Sequence, residues 1–237
     1  MTIKPAAKGN GTIEPGTHNF ADLRDTLPVL HTLALSYCPA IAVPETLGLF
    51  ALDARLAGVV RSASEPMLAQ IRLAWWREVL DQPVRDRPGG DPLLELLACW
   101  ETERVALGKL IDGWEALTVQ GTLSALAIDH LASARGDCFG ALSSLLGVAE
   151  DRELAAAMGR RWALADLCGR LSNPDERQSA VDLARRQKWP RSRLARPMRP
   201  LVVLHGLAAR GLRRQDGLGK PRPLDVLIAM RLGLLGR

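Results

Sequence analysis

The sequence predicts an all-α protein, and three observations carry that reading. Ala, Leu and Arg are abundant while β-branched residues are sparse, which favours helix over strand. Aromatic residues make up only 4% of the chain, and six of the ten are Trp. Apolar residues recur at steps of three, four and seven, and no period-two alternation marks a strand. At 237 residues, with 47% apolar and 24% charged, the chain is too apolar for disorder and too charged for a multi-span membrane protein. One large domain of that length buries roughly 70% of the surface its unfolded form exposes.

Residues 1–18 are polar, with Gly9, Gly11 and Gly16, and are expected to form a disordered arm ahead of a helical domain spanning 19–237. The stretch 26–44 carries no charge, but Pro28, Pro39 and Pro44 interrupt it, so it reads as a buried helix plus loop rather than a membrane span. Pro44 suits the first turn of a helix reaching about Arg61. Ser62 and Glu65 have capping-box spacing and predict a helix over 64–80. Asp91-Pro92 opens another, on which Leu93, Leu97, Trp100, Leu107, Ile111 and Trp114 form one apolar stripe broken only by Arg104. Residues 119–146 read as one long or two abutting helices closed by Gly147. A helix over 151–171 buries Leu154, Met158, Trp162 and Ala165 and stops at Asn173-Pro174. A Pro- and Arg-rich connector over 187–200 leads to short helices at 200–214 and 223–235, for seven to nine helices in all.

Generic chemistry motifs are absent. Cys38, Cys99, Cys138 and Cys168 show no paired spacing, and His18, His31, His130 and His205 form no metal-binding pattern with them. The expectation is reduced thiols in a cytoplasmic chain, and the first twenty residues lack the apolar core of a secretory signal. The run GLGKP at 217–221 lacks the spacing and flanks of a phosphate loop. Charge is uneven: the chain carries +5, yet residues 185–237 carry +12 and the first 184 carry −7. Such a basic C-terminal portion either binds an anionic partner or folds back on the acidic body. Nucleic acid is disfavoured because no stacking aromatics accompany the charge. The 26 Arg against five Lys suggest GC-rich coding and a bacterial source.

The informative segment is 37–80, carrying Leu49-Phe50-Ala51-Leu52, Ser64-Glu65-Pro66, Arg72-Leu73 and Trp75-Trp76-Arg77. With FGALSSLLGV at 139–148, GRRWALADLCGRL at 159–171 and RPLVVLHGLAARGLR at 199–213, it resembles the squalene/phytoene synthase family. The nearest likeness is to its divergent branch, which includes complex I assembly factors and bacterial relatives. The resemblance covers about 28–237 and implies an isoprenoid (terpenoid) synthase-like single helical domain. Active members hold Mg²⁺ between two acid-rich motifs, where it bridges and neutralises prenyl diphosphates. Here the first motif aligns with Ala57–Arg61 and the second with Ala163–Arg170, and each ends in an Arg rather than an acid.

Asp53 and Asp166 remain on those helices. With Arg61, Arg170, Arg72, Trp75, Trp76 and Arg77 they are the candidate ligand-binding residues, although each Asp can instead pair with an Arg, Asp166 with Arg170 at i+4. Two adjacent Trp point to different sides of a helix. The expected function is therefore non-catalytic, with no cofactor: binding a prenyl or lipid-like ligand, or assembling membrane-complex subunits. An apolar pocket with Arg61 and Arg170 at its mouth would suit such a ligand. One alternative is residual head-to-head prenyltransfer with Mg²⁺ at a relocated acid site. The other is a basic peripheral protein on an anionic membrane surface.

Overall fold

A computed structural model describes residues 20–187, 193–213 and 223–236. The expected arm at 1–18 lies outside these residues, as do part of the 187–200 connector and most of GLGKP. Among the described residues there are eleven α-helical segments and no strand. In chain order they are α1 (Ala21–Asp25), α2 (Val29–Leu35), α3 (Val43–Ser62), α4 (Pro66–Asp81), α5 (Pro92–Leu96), α6 (Arg104–Glu115), α7 (Ala125–Leu145), α8 (Arg152–Arg170), α9 (Pro174–Arg186), α10 (Arg199–Arg213) and α11 (Pro223–Leu235). Eight of these have twelve residues or more, so the expected seven to nine helices describe the long elements.

The central pillar is α3. It buries Thr46 through Asp53 without a break, then Leu56 and Ala57, and packs against α4, α5, α6 and α7. A helix apolar on all sides belongs inside the protein. The most extensive contact in the fold is α7 on α8. Their backbones come close because the crossing is lined by glycines: a Cβ on Gly136 would lie 2.6 Å from the Ala156 carbonyl oxygen, and one on Gly159 would lie 2.6 Å from Phe139 Cδ2. Gly147, at φ +73°, ends α7 in the left-handed conformation expected of a C-cap glycine.

Several expected boundaries shift for identifiable reasons. The capping box at Ser62 and Glu65 does not form: Ser62 is the last residue of α3, and Glu65 is the N-cap of α4 without a side-chain cap bond. Pro66 sets that start instead, since proline suits the first turn and leaves Glu65 extended at φ −133° and ψ 141°. The stripe from Leu93 to Trp114 is buried as expected, but it runs over α5, a 3₁₀ segment at Leu97–Glu103 and α6 rather than one helix. Arg104, its one polar break, begins α6. Asn173-Pro174 stops α8 and also starts α9, with Asn173 Oδ1 accepting from the Asp175 N–H at 2.9 Å.

A buried carboxylate and guanidinium cluster as candidate functional site

Three of the central helices bring ionic side chains together in the interior. Asp53 comes from α3, Arg135 from α7 and Asp166 from α8, and all three are buried. Arg135 donates from Nε to Asp53 Oδ1 and from Nη2 to Asp53 Oδ2, both at 2.9 Å. Its Nη1 donates to Asp166 Oδ2 at 3.1 Å. One guanidinium thus joins two carboxylates, and its contact with Asp53 has the two-pronged geometry that favours Arg over Lys. Trp114 Nε1 adds a donor to Asp53 Oδ1 at 2.9 Å, and Arg170 Nε reaches Asp166 Oδ2 at 2.7 Å from one turn along α8. The Arg135 carbon lies 4.9 Å from the Trp114 ring centre and 5.2 Å from that of Trp162, so its flanks meet aromatic faces.

The electrostatics follow from this arrangement. Burial opposes ionisation of Asp166, but Arg135 and then Arg170 outweigh it and hold the carboxyl below its ordinary value. Burial also opposes the charged form of Arg135, and Asp53 followed by Asp166 overcomes it, raising the guanidinium above its ordinary value. Beside the cluster, His31 is held edge-on to Phe50 and Trp162 at 4.7 and 5.3 Å. Neither of its ring nitrogens has a partner among the described residues. Desolvation lowers it to about 4, against the pull of Asp53 and Asp166, so it is neutral at pH 7. His31, Asp53, Arg135 and Trp162 line a cavity of about 10 Å³, measured as the space open to the centre of a water molecule. That is room for about one water.

The candidate residues divide. Asp53, Asp166 and Arg170 meet in this cluster, whereas Arg61 is exposed on the last turn of α3. The expected lipid pocket with Arg61 and Arg170 at its mouth is not formed here: Arg170 is committed to Asp166, and neither arginine lines the cavity. Leu52, Leu56, Trp162, Leu164 and Leu167 are packed in the core, with Val59 and Val60 partly buried against it. Trp76 is buried beneath Arg55, while Trp75 is 44% exposed, the division expected of adjacent positions on a helix. Arg77 ties α4 to α6 through Asp112 and Glu115, and Arg72 is exposed.

Sequence reasoning missed Arg135 and His31. The signal for Arg135 was available: it is the one cation on a stripe running through Leu131, Cys138, Phe139 and Leu142. A lone cation among apolar residues at helical spacing requires buried acids to answer it.

Mg²⁺ takes six or so oxygen ligands and keeps several of them as water. The two central carboxylates do not fit that requirement, since each is already occupied by guanidinium donors and enclosed by apolar side chains. Among the described residues no group of three or more His, Cys, Asp or Glu side chains could hold a metal ion. No protein-family model, curated protein or solved structure matches the chain.

Proposed function

We propose that the chain is a divergent squalene/phytoene synthase-like protein that has lost the metal-dependent reaction and works by binding, as a scaffold for membrane-complex assembly. The observation that carries this reading is the Arg135 guanidinium between Asp53 and Asp166. The resemblance implies that active relatives bring acids from two facing helices together around Mg²⁺. Here the acids on the corresponding helices α3 and α8 enclose a cation that belongs to the chain. A tethered guanidinium neutralises the carboxylates but offers no open coordination position to a diphosphate.

The enclosed cavity supports the same reading, because space for one water cannot hold a prenyl chain. A lipid-like ligand therefore has no room at this cluster. The outer face of α4 is suited to a partner: Met67, Leu68, Ile71 and Trp75 are all exposed within about two turns.

Incubation with farnesyl or geranylgeranyl diphosphate and Mg²⁺ or Mn²⁺ tests the proposal. The expected result is no pyrophosphate release above the protein-free control. Release that persists through purification and is abolished in a folded Asp53→Asn or Asp166→Asn variant would instead establish the prenyltransferase alternative.

A further inference from the structure

The last helix has two opposed faces, and both are apolar. On the inner face Ala229, Leu232 and Gly233 are buried. Leu232 fits against Gly206 of α10, where an added Cβ would come within 2.3 Å of Leu232 Cδ1. Arg210 of α10 holds Asp225 at 3.1 Å. The helix is thus fixed in rotation. Its outer face exposes Val226, Leu227, Met230, Leu234 and Leu235, with Arg231 the one charged residue among them. At about 100° per residue these six positions fall within one half of the helix circumference. A half-helix facing water ordinarily carries charged and polar residues, so this face is built for an apolar environment.

Next to it lies a groove of about 270 Å³ between the end of α2 and the start of α10, lined by Ser36, Tyr37, Arg196, Arg199, Gly233 and Leu234 among others. No carboxylate lines it. Neither Arg196 nor Arg199 has an acidic partner among the described residues. Leu234 belongs to both the groove and the exposed face, so two guanidinium groups and an apolar surface are continuous.

We propose that α11 and this groove form a docking site for an anionic phospholipid membrane. The outer face of α11 lies in the plane of the bilayer among the upper acyl segments, and Arg196 and Arg199 hold a lipid phosphate. Guanidinium groups pair phosphate oxygens directly and without a metal ion. An interfacial helix inserts an apolar face beside basic side chains at headgroup level; here α11 supplies the apolar face, and the basic side chains come from the neighbouring groove. At about 1.5 Å per residue, α11 is roughly 20 Å long, short of the ~30 Å hydrocarbon core. No helix among the described residues is long and apolar enough to cross a membrane. A second copy is the poorer occupant, because two-fold pairing through this face would bring together two segments that each carry +12. No residue of the central cluster takes part in this site.

Co-sedimentation of the full chain with vesicles tests it, comparing phosphatidylcholine alone with phosphatidylcholine containing phosphatidylglycerol. The protein is expected to sediment with the anionic vesicles at low salt and to be released as salt rises. Replacing Arg196 and Arg199 together by Ala lowers that partitioning about thirtyfold, and Arg196→Ala alone about fivefold, at roughly 1 kcal/mol per basic side chain near the surface. The double variant Leu227→Glu, Leu234→Glu abolishes it while far-ultraviolet circular dichroism stays native, since both positions are exposed, at 61% and 68%. Failure to sediment with anionic vesicles at low salt overturns the proposal. So does equal binding to neutral vesicles that is indifferent to the arginines. Binding of inorganic phosphate without vesicle binding would mark a free-anion site, and a dimer dispersed by the glutamate variants without vesicle binding would mark a self-association face. Either result also overturns it.

Discussion

Arg135 and Arg170 touch the same carboxylate, yet their environments make them unequal. The Arg135 side chain is 3% exposed, and its removal leaves Asp53 and Asp166 facing each other in the core. Arg135→Met is therefore expected to cost about 3–5 kcal/mol by urea unfolding, the range for a buried charge left without its partner. Arg170 is 37% exposed, and Arg170→Ala should cost less than about 1 kcal/mol. Equal losses would refute the assignment of Arg135 as the central cation. His31 adds a pH dependence. Its value falls from 6.5 to about 4 on folding, through burial first, with Asp53 and Asp166 favouring the cation and Arg135 and Arg170 opposing it. Between those values the unfolded chain takes up the proton first, so the contribution is intact above about 6.5 and is lost as pH falls toward 4. Native protein should therefore lose up to about 3 kcal/mol more than a His31→Phe variant across that window. Parallel unfolding curves against pH would refute it. Of this cluster, Asp53, Asp166 and the i+4 pairing with Arg170 were readable from spacing. Arg135 was marked only as a lone cation on an apolar stripe, and its partners were not readable, because they are 82 and 31 residues away in sequence.

At the scale of helices, glycine has opposite meanings at different positions. A Cβ on Gly58 of α3 meets nothing within 4 Å, so Gly58→Ala should stabilise by up to about 1 kcal/mol through helix propensity. At Gly159 the same substitution runs into Phe139, and overpacking of about 1–3 kcal/mol outweighs the propensity gain. Thermal unfolding of the two variants should shift in opposite directions. Helix existence was legible for the long periodic segments, and even the bounds of α11 came through. The missed α9 shows the limit: Asn173-Pro174 is a stop for one helix and a cap with a first-turn proline for the next. Asp175 and Glu176 at its start and Arg185 and Arg186 at its end are the charges a helix dipole favours. The capping box failed because a local proline fixed the start of α4 more strongly than a distant serine could.

For the molecule as a whole, composition and periodicity sufficed for an all-helical fold with the Trp-rich stripe in its core. They could not supply the packing density at the centre. The apolar residues Leu52, Leu56, Leu164 and Leu167 are equally consistent with walls around a ligand and with a filled core. The distinction depends on how closely α7 approaches α8 and on where Arg135 reaches, both properties of tertiary contact. The basic C-terminal portion has a similar history. Its net charge was visible, but its resolution into an arginine-lined groove beside an apolar helix face required the fold.

A cation carried on a side chain obeys no mass action. Where an ion is borrowed from solution, stability follows its free concentration, gaining about 2.7 kcal/mol at a hundredfold excess over the dissociation constant and losing it to a chelator. Arg135 has no free concentration, so the centre of this fold is saturated by construction. Its melting temperature should be the same in excess EDTA and in excess Mg²⁺, as differential scanning fluorimetry can show. A midpoint that fell on chelation would mean that an exchangeable ion, and not the guanidinium, holds the two carboxylates together. A protein neutralised from within in this way keeps its core whether divalent ions around it are plentiful or scarce.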